Sequence, residues 1–132
     1  MSFPETTHGS APRDTVLVAD DEADVRELAE EMLQLLGCDV ITAKDGVEAL
    51  ELIDRHPEIR LLLLDLTMPR LSGEETIDEL HRRRPDVAVV VSSGHEEQET
   101  MRRLAGKNVA GFLPKPFRLE QVEATLKAAL AS

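Results

Sequence analysis

Leu61-Leu62-Leu63-Leu64-Asp65-Leu66-Thr67-Met68-Pro69 decides how this chain folds. Four consecutive leucines closed by a turn predict a central strand of a parallel sheet, because a strand covered on both faces carries an unbroken apolar run. Asp65 then stands at the strand's carboxyl end, where open α/β sheets keep their binding crevice. Three further apolar runs end in a polar group. Residues 16–19 (VLVA) lead into Asp20 and Asp21, residues 87–91 (VAVVV) into Ser92-Ser93-Gly94, and residues 109–113 (VAGFL) towards Lys115. An acid pair, a single acid, a hydroxyl and a lysine each follow a different strand.

Helical patterns fill the intervals. Val25, Leu28, Ala29, Met32, Leu35 and Leu36 recur at helical spacing, and Gly37 is placed to cap the helix end. A short strand follows over residues 40–43. Asp45-Gly46-Val47-Glu48 has capping-box spacing and opens a second helix that runs to about Arg55. Ser72-Gly73-Glu74-Glu75 is another capping box, and its helix carries Ile77 and Leu80 inward until Pro85. A fourth helix is predicted at about 97–105 on Met101, Leu104 and Ala105, and a fifth on Leu119, Val122, Leu126, Ala129 and Leu130. Strand and helix thus alternate five times. That predicts a doubly wound (βα)5 flavodoxin-like α/β fold, a five-stranded parallel sheet in order 2-1-3-4-5 with helices on both faces. Its crevice gathers Asp20, Asp21 and Asp65.

Composition narrows the function. The chain has 132 residues, 42% of them hydrophobic, enough for one domain with a core. Residues 1–14 lack periodicity and read as a flexible leader or linker, with the folded domain over 15–132. A net charge of −11 disfavours a nucleic-acid or anionic-membrane partner. Cys38 has no second cysteine and reads as a small buried residue. No stretch reaches the roughly 18 apolar residues of a membrane span and no signal peptide opens the chain, so the expectation is a cytoplasmic domain. His8, His56, His81 and His95 show no paired metal spacing.

Three clustered carboxylates repel unless a cation compensates. A hard divalent ion suits an all-oxygen donor set, and Mg²⁺ accepts one or two carboxylates beside water and phosphate oxygens. A carboxylate is also a nucleophile towards phosphorus, and the transferring phosphoryl group then needs cations and hydrogen-bond donors, which Mg²⁺, Lys115 and Ser93 would supply. Taken singly, an acid pair after a strand is a helix cap, and an Asp before a proline turn is turn chemistry. Their joint placement at the ends of strands one, three, four and five argues for a site.

The segments Val18-Ala19-Asp20-Asp21-Glu22, Leu64-Asp65-Leu66-Thr67-Met68-Pro69, Val91-Ser92-Ser93-Gly94 and Phe112-Leu113-Pro114-Lys115-Pro116-Phe117 resemble the receiver domain of two-component response regulators, across residues 15–131. The resemblance implies that Asp65 is the phosphoacceptor. It makes Asp21 and Asp65 direct Mg²⁺ ligands, with the Thr67 main-chain carbonyl a third and Asp20 acting through water. Ser93 becomes the switch hydroxyl, Phe112 the switch aromatic and Lys115 the phosphate-contacting lysine. The implied partner is a histidine kinase core or a histidine phosphotransfer domain. The domain's own chemistry is limited to self-phosphorylation and autodephosphorylation. Phe112 departs from the commoner Tyr, and Ser93 from the commoner Thr.

Residues 65–75, with Ser92-Ser93-Gly94-His95 and Gly111-Phe112-Leu113, look most like receivers at the C-terminal end of hybrid sensor histidine kinases. A stand-alone single-domain regulator and a phosphorylation-independent receiver-like module are the alternatives. A haloacid-dehalogenase-type phosphohydrolase would want an acid where Thr67 stands, and a flavodoxin would not place Asp20-Asp21-Glu22 against a phosphate.

Overall fold

A computed structural model describes residues 13–66, 72–94 and 96–131. Thr67, His95 and nearly all of the expected leader lie outside those residues. The apolar runs form five strands, β1 (Thr15–Ala19), β2 (Asp39–Ala43), β3 (Ile59–Asp65), β4 (Ala88–Ser93) and β5 (Gly111–Pro114). They pair in parallel throughout, in the order β2-β1-β3-β4-β5. This is the expected topology. The helices are α1 (Ala23–Leu35), α2 (Gly46–Arg55), α3 (Gly73–Arg83), α4 (Glu97–Arg103) and α5 (Leu119–Leu130).

Side chains alternate across the central strands and divide the core in two. Leu17, Ala19, Leu62, Leu64, Val89 and Val91 pack against α2 and α3 and against Leu104 beyond α4. Val16, Val18, Leu61, Leu63 and Val90 pack against α1 and α5. Because β3 is covered on both faces, its leucines are almost wholly buried, as the continuous run requires. Cys38 is buried as expected.

Local signals hold with instructive exceptions. Gly37 follows α1 with φ +90°, the left-handed conformation that suits glycine at a helix end. The Ser72–Glu75 capping box is complete, each reciprocal bond 3.1 Å. The Asp45 box is only half formed. Asp45 accepts from the Glu48 N–H, but Glu48 reaches back to the Lys44 N–H instead of that of Asp45. The inward face of α1 is rotated from the expected one. Ala29 and Leu33 are buried, whereas Leu28 and Leu35 are 39% and 76% exposed. At about 100° per residue, Leu28 and Leu35 lie beyond the edge of a stripe centred between Ala29 and Leu33. Leu119, expected inward, is 39% exposed at the first turn of α5. Helix α4 ends two residues short of the expected 105, and salt bridges from Arg103 to Glu74 (2.9 Å) and Lys107 to Asp78 (2.8 Å) tie its end to α3.

Candidate functional site

Parallel register brings the polar strand ends together. Ala19 pairs with Leu64, and Asp65 with Ser92, so the residues after β1, β3 and β4 emerge on one edge of the sheet. The edge lies where β1 and β3 feed helices on opposite faces, the switch point at which such sheets open a crevice. Asp20 is fixed there by its N–H, which donates to the Ala43 carbonyl (3.1 Å), and by its carboxylate, which accepts from the Glu22 N–H (2.9 Å).

Asp20, Asp21 and Asp65 each present a carboxylate oxygen, all within 4.8 Å of one another. Asp20 and Asp65 are 2% and 1% exposed, while Asp21 faces solvent. The Lys115 ammonium stands 3.0 Å from Asp20, 3.5 Å from Asp65 and 3.7 Å from Glu22. Its backbone N–H donates to the Ser93 carbonyl (3.1 Å), which anchors the lysine to the end of β4, and the Lys115–Pro116 peptide bond is cis. Ser93 is buried beside this edge. Phe112 is partly buried on the α2–α4 face of β5.

The electrostatics follow from this crowding. Burial pushes the Asp20 carboxyl above the usual aspartate range, and the Asp65 charge adds to that. The Glu22 N–H and Lys115 pull it back only in part. Burial works against the Lys115 charge, but the bond to Asp20 and the charges of Asp65, Asp20 and Glu22 outweigh it and hold the ammonium above the ordinary lysine value. Among the described residues one ammonium faces four carboxylates, an excess of negative charge around an all-oxygen donor set. That suits a hard divalent cation, and Mg²⁺ in particular, which keeps several waters while binding few carboxylates.

Asp20, Asp21, Asp65 and Lys115 thus lie together, with Ser93 buried at the end of β4 and Phe112 on the adjoining strand. The Thr67 carbonyl lies outside the described residues. Glu22 of the Asp20-Asp21-Glu22 run reaches Lys115, and one group escaped sequence reading: Arg26 on α1 donates from Nη1 to the Asp20 carbonyl at 2.7 Å. A cation in the first turn of a helix that opens on three acids was the available signal.

Fold and site define a doubly wound domain with an acidic, cation-ready crevice at its switch point. The chain belongs to the response regulator receiver domain family, whose profile matches residues 16–127. Receiver domains are phosphoacceptor modules of two-component systems and generally bind Mg²⁺ at an acidic pocket. Among relatives, the chain is 38% identical to a sensor kinase CckA of Brucella abortus, over 88% of this chain and 12% of that protein. It is 40% identical to a response regulator MprA of Mycobacterium ulcerans, over 87% of this chain and 49% of that one. The chain therefore spans half or less of these relatives. Among solved structures, chemotaxis protein CheY4 of Vibrio cholerae aligns with TM-score 0.84 and 26% identity, over 90% of this chain and 100% of that chain. NtrX of Brucella abortus aligns with TM-score 0.84 and 32% identity, over 91% and 27%.

Proposed function

We propose that Asp65 accepts a phosphoryl group from a phosphohistidine in a Mg²⁺-dependent transfer. The observation that carries this is the buried Asp65 carboxylate, grouped with Asp20 and Asp21 and facing the Lys115 ammonium. An Asp65 oxygen forms the bond to phosphorus as the phosphorus–nitrogen bond of the donor breaks, and the electron pair leaves with the imidazole. Lys115 turns from Asp20 towards a phosphoryl oxygen, and the Ser93 hydroxyl donates to another. Asp21 and Asp65 would hold the metal directly and Asp20 through water, with the Thr67 carbonyl as a further ligand. The bound ion would supply positive charge to the phosphoryl oxygens. Incubation with a small phosphodonor such as acetyl phosphate and Mg²⁺ should add one phosphoryl group, seen by mass spectrometry. Asp65→Asn should abolish it, and a variant that labels like the parent sinks the assignment.

The readout we propose runs through Ser93 and Phe112. Drawing the Ser93 hydroxyl towards the phosphoryl group frees space into which the Phe112 ring turns, and this biases the surface made by α4, β5 and α5. Amide shifts around Phe112 that stay still on adding a beryllofluoride mimic with Mg²⁺ would count against it.

The donor in this reading is a histidine kinase core or a histidine phosphotransfer domain, and the domain works in the cytoplasm. The further reading, that it is the receiver of a hybrid sensor histidine kinase, is supported by similarity to the sensor kinase CckA. Similarity to the response regulator MprA supports a separate regulator instead. The native reading frame decides between them. A kinase core in frame with this domain establishes the hybrid, and a frame limited to the receiver establishes the single-domain regulator.

A further inference from the structure

Asp20 is held at every polar group it has. Its N–H meets Ala43, and its carboxylate meets the Glu22 N–H and Lys115. Its carbonyl receives the guanidinium of half-buried Arg26 at 2.7 Å. That last contact fixes the peptide plane between Asp20 and Asp21, because the Asp20 carbonyl and the Asp21 N–H belong to one rigid unit. Asp21 has no burial to orient it. Its residue is exposed, yet it presents an oxygen within 4.8 Å of those of Asp20 and Asp65. Arg26 is itself anchored, since its N–H donates to the Glu22 carbonyl in the first turn of α1 (3.0 Å). The helix, the turn and the guanidinium therefore close a small frame around the acid pair.

We infer that Arg26 is a positioning residue for the cation site, aligning the Asp20–Asp21 peptide so that Asp21 faces the metal. The inference rests on the reading of this crevice as a Mg²⁺ site. Two effects of Arg26 have opposite signs, and this makes the inference testable. As a bare positive charge near the crevice, Arg26 would repel Mg²⁺, so its removal would tighten binding. As a support behind a ligand, its removal loosens binding, and groups that orient metal ligands typically change affinity 10- to 100-fold.

Mg²⁺ titration of the 132-residue chain by calorimetry, paired with amide spectra, reads the balance. Arg26→Met should bind Mg²⁺ about tenfold more weakly, at the low end of that range, with the Asp21 and Glu22 amides displaced. Arg26→Lys keeps a charge and a donor and should restore affinity to within about threefold of the parent. Arg26→Gln, neutral, shorter and well hydrated, repeats the test if the methionine variant does not fold. Parent-like or tighter binding by the neutral variants overturns the inference, as does a lysine variant as weak as the methionine one. Asp21→Asn separates the two levels. If it weakens Mg²⁺ while the neutral Arg26 variants do not, the site stands and the role of Arg26 falls. If the parent takes up no Mg²⁺, the site reading falls and this inference with it.

Discussion

Replacing Lys115 with methionine keeps the volume of its stem and removes an ammonium that faces Asp20 and Asp65 at 3.0 and 3.5 Å. At an effective dielectric of about 20, each contact carries roughly 5 kcal/mol of attraction before the cost of desolvating the lysine is subtracted. Breaking a buried pair typically costs about 3–5 kcal/mol net. Protonation sets a ceiling. Asp20 can escape the repulsion by binding a proton, and because burial and Asp65 already hold its carboxyl above the ordinary aspartate range, that escape costs less than for a free aspartate. The side chain of Lys115 is 17% exposed, so its site is not fully dry and the lower part of the range applies. We expect a loss of about 3 kcal/mol at pH 7 without metal, which for a domain of this size lowers Tm by roughly 12 °C.

The pH dependence has a definite sign. The Asp20 carboxyl is already raised by burial and by Asp65, so the folded state holds its proton more tightly than the unfolded state. Stability from that proton is present below the ordinary aspartate value and is lost as pH rises through the folded one. Without Lys115 the folded value climbs further, so the gap between variant and parent narrows as pH falls towards 5. Urea and thermal melts at the two pH values, with EDTA and with saturating MgCl2, measure all of this. Mg²⁺ should stabilise the variant more than the parent, since it supplies the missing charge. A variant within about 1 kcal/mol of the parent at pH 7, or a gap that does not shrink towards pH 5, refutes the electrostatic account.

Asp65→Asn, by contrast, removes one of two buried like charges and leaves Asp20 paired with Lys115. It should raise stability by about 1 kcal/mol in metal-free urea melts at pH 7 while abolishing phosphorylation. Gly73→Ala places a Cβ 2.6 Å from Leu66 Cδ2 and 3.0 Å from Leu66 Cα. It should cost about 1–3 kcal/mol and shift the Leu66 and Asp65 amides in NMR spectra. Ser72→Ala breaks the complete capping box of α3 and should cost about 1 kcal/mol, measured as an unchanged m-value with a lower urea midpoint.

The five strand–helix alternations, the parallel sheet and the polar groups at the strand ends were all legible in the chain. Strand interiors buried on both faces are almost wholly apolar, so Asp65 and the Asp20-Asp21 pair stand out where such runs stop. Caps were legible where the bond closes within four residues, as at Ser72 and Glu75. The same local pattern misplaced the partner of Glu48, because the N–H of Lys44 lies one residue away and backbone geometry chooses between them. Which flank of an amphipathic helix faces the sheet depends on rotation about its axis. Leu28 and Leu35 share the spacing of buried residues, yet the packing of α1 turns inward the stripe centred on Ala29 and Leu33. Which cation meets which acid follows from long-range packing. Lys115 lies 95 positions from Asp20, and Arg26, though a cation beside three acids, bonds to a main-chain carbonyl instead of to any of their carboxylates. Periodicity records where water is excluded; the direction of a guanidinium or the sharing of one ammonium among three carboxylates is fixed when the strands align in register.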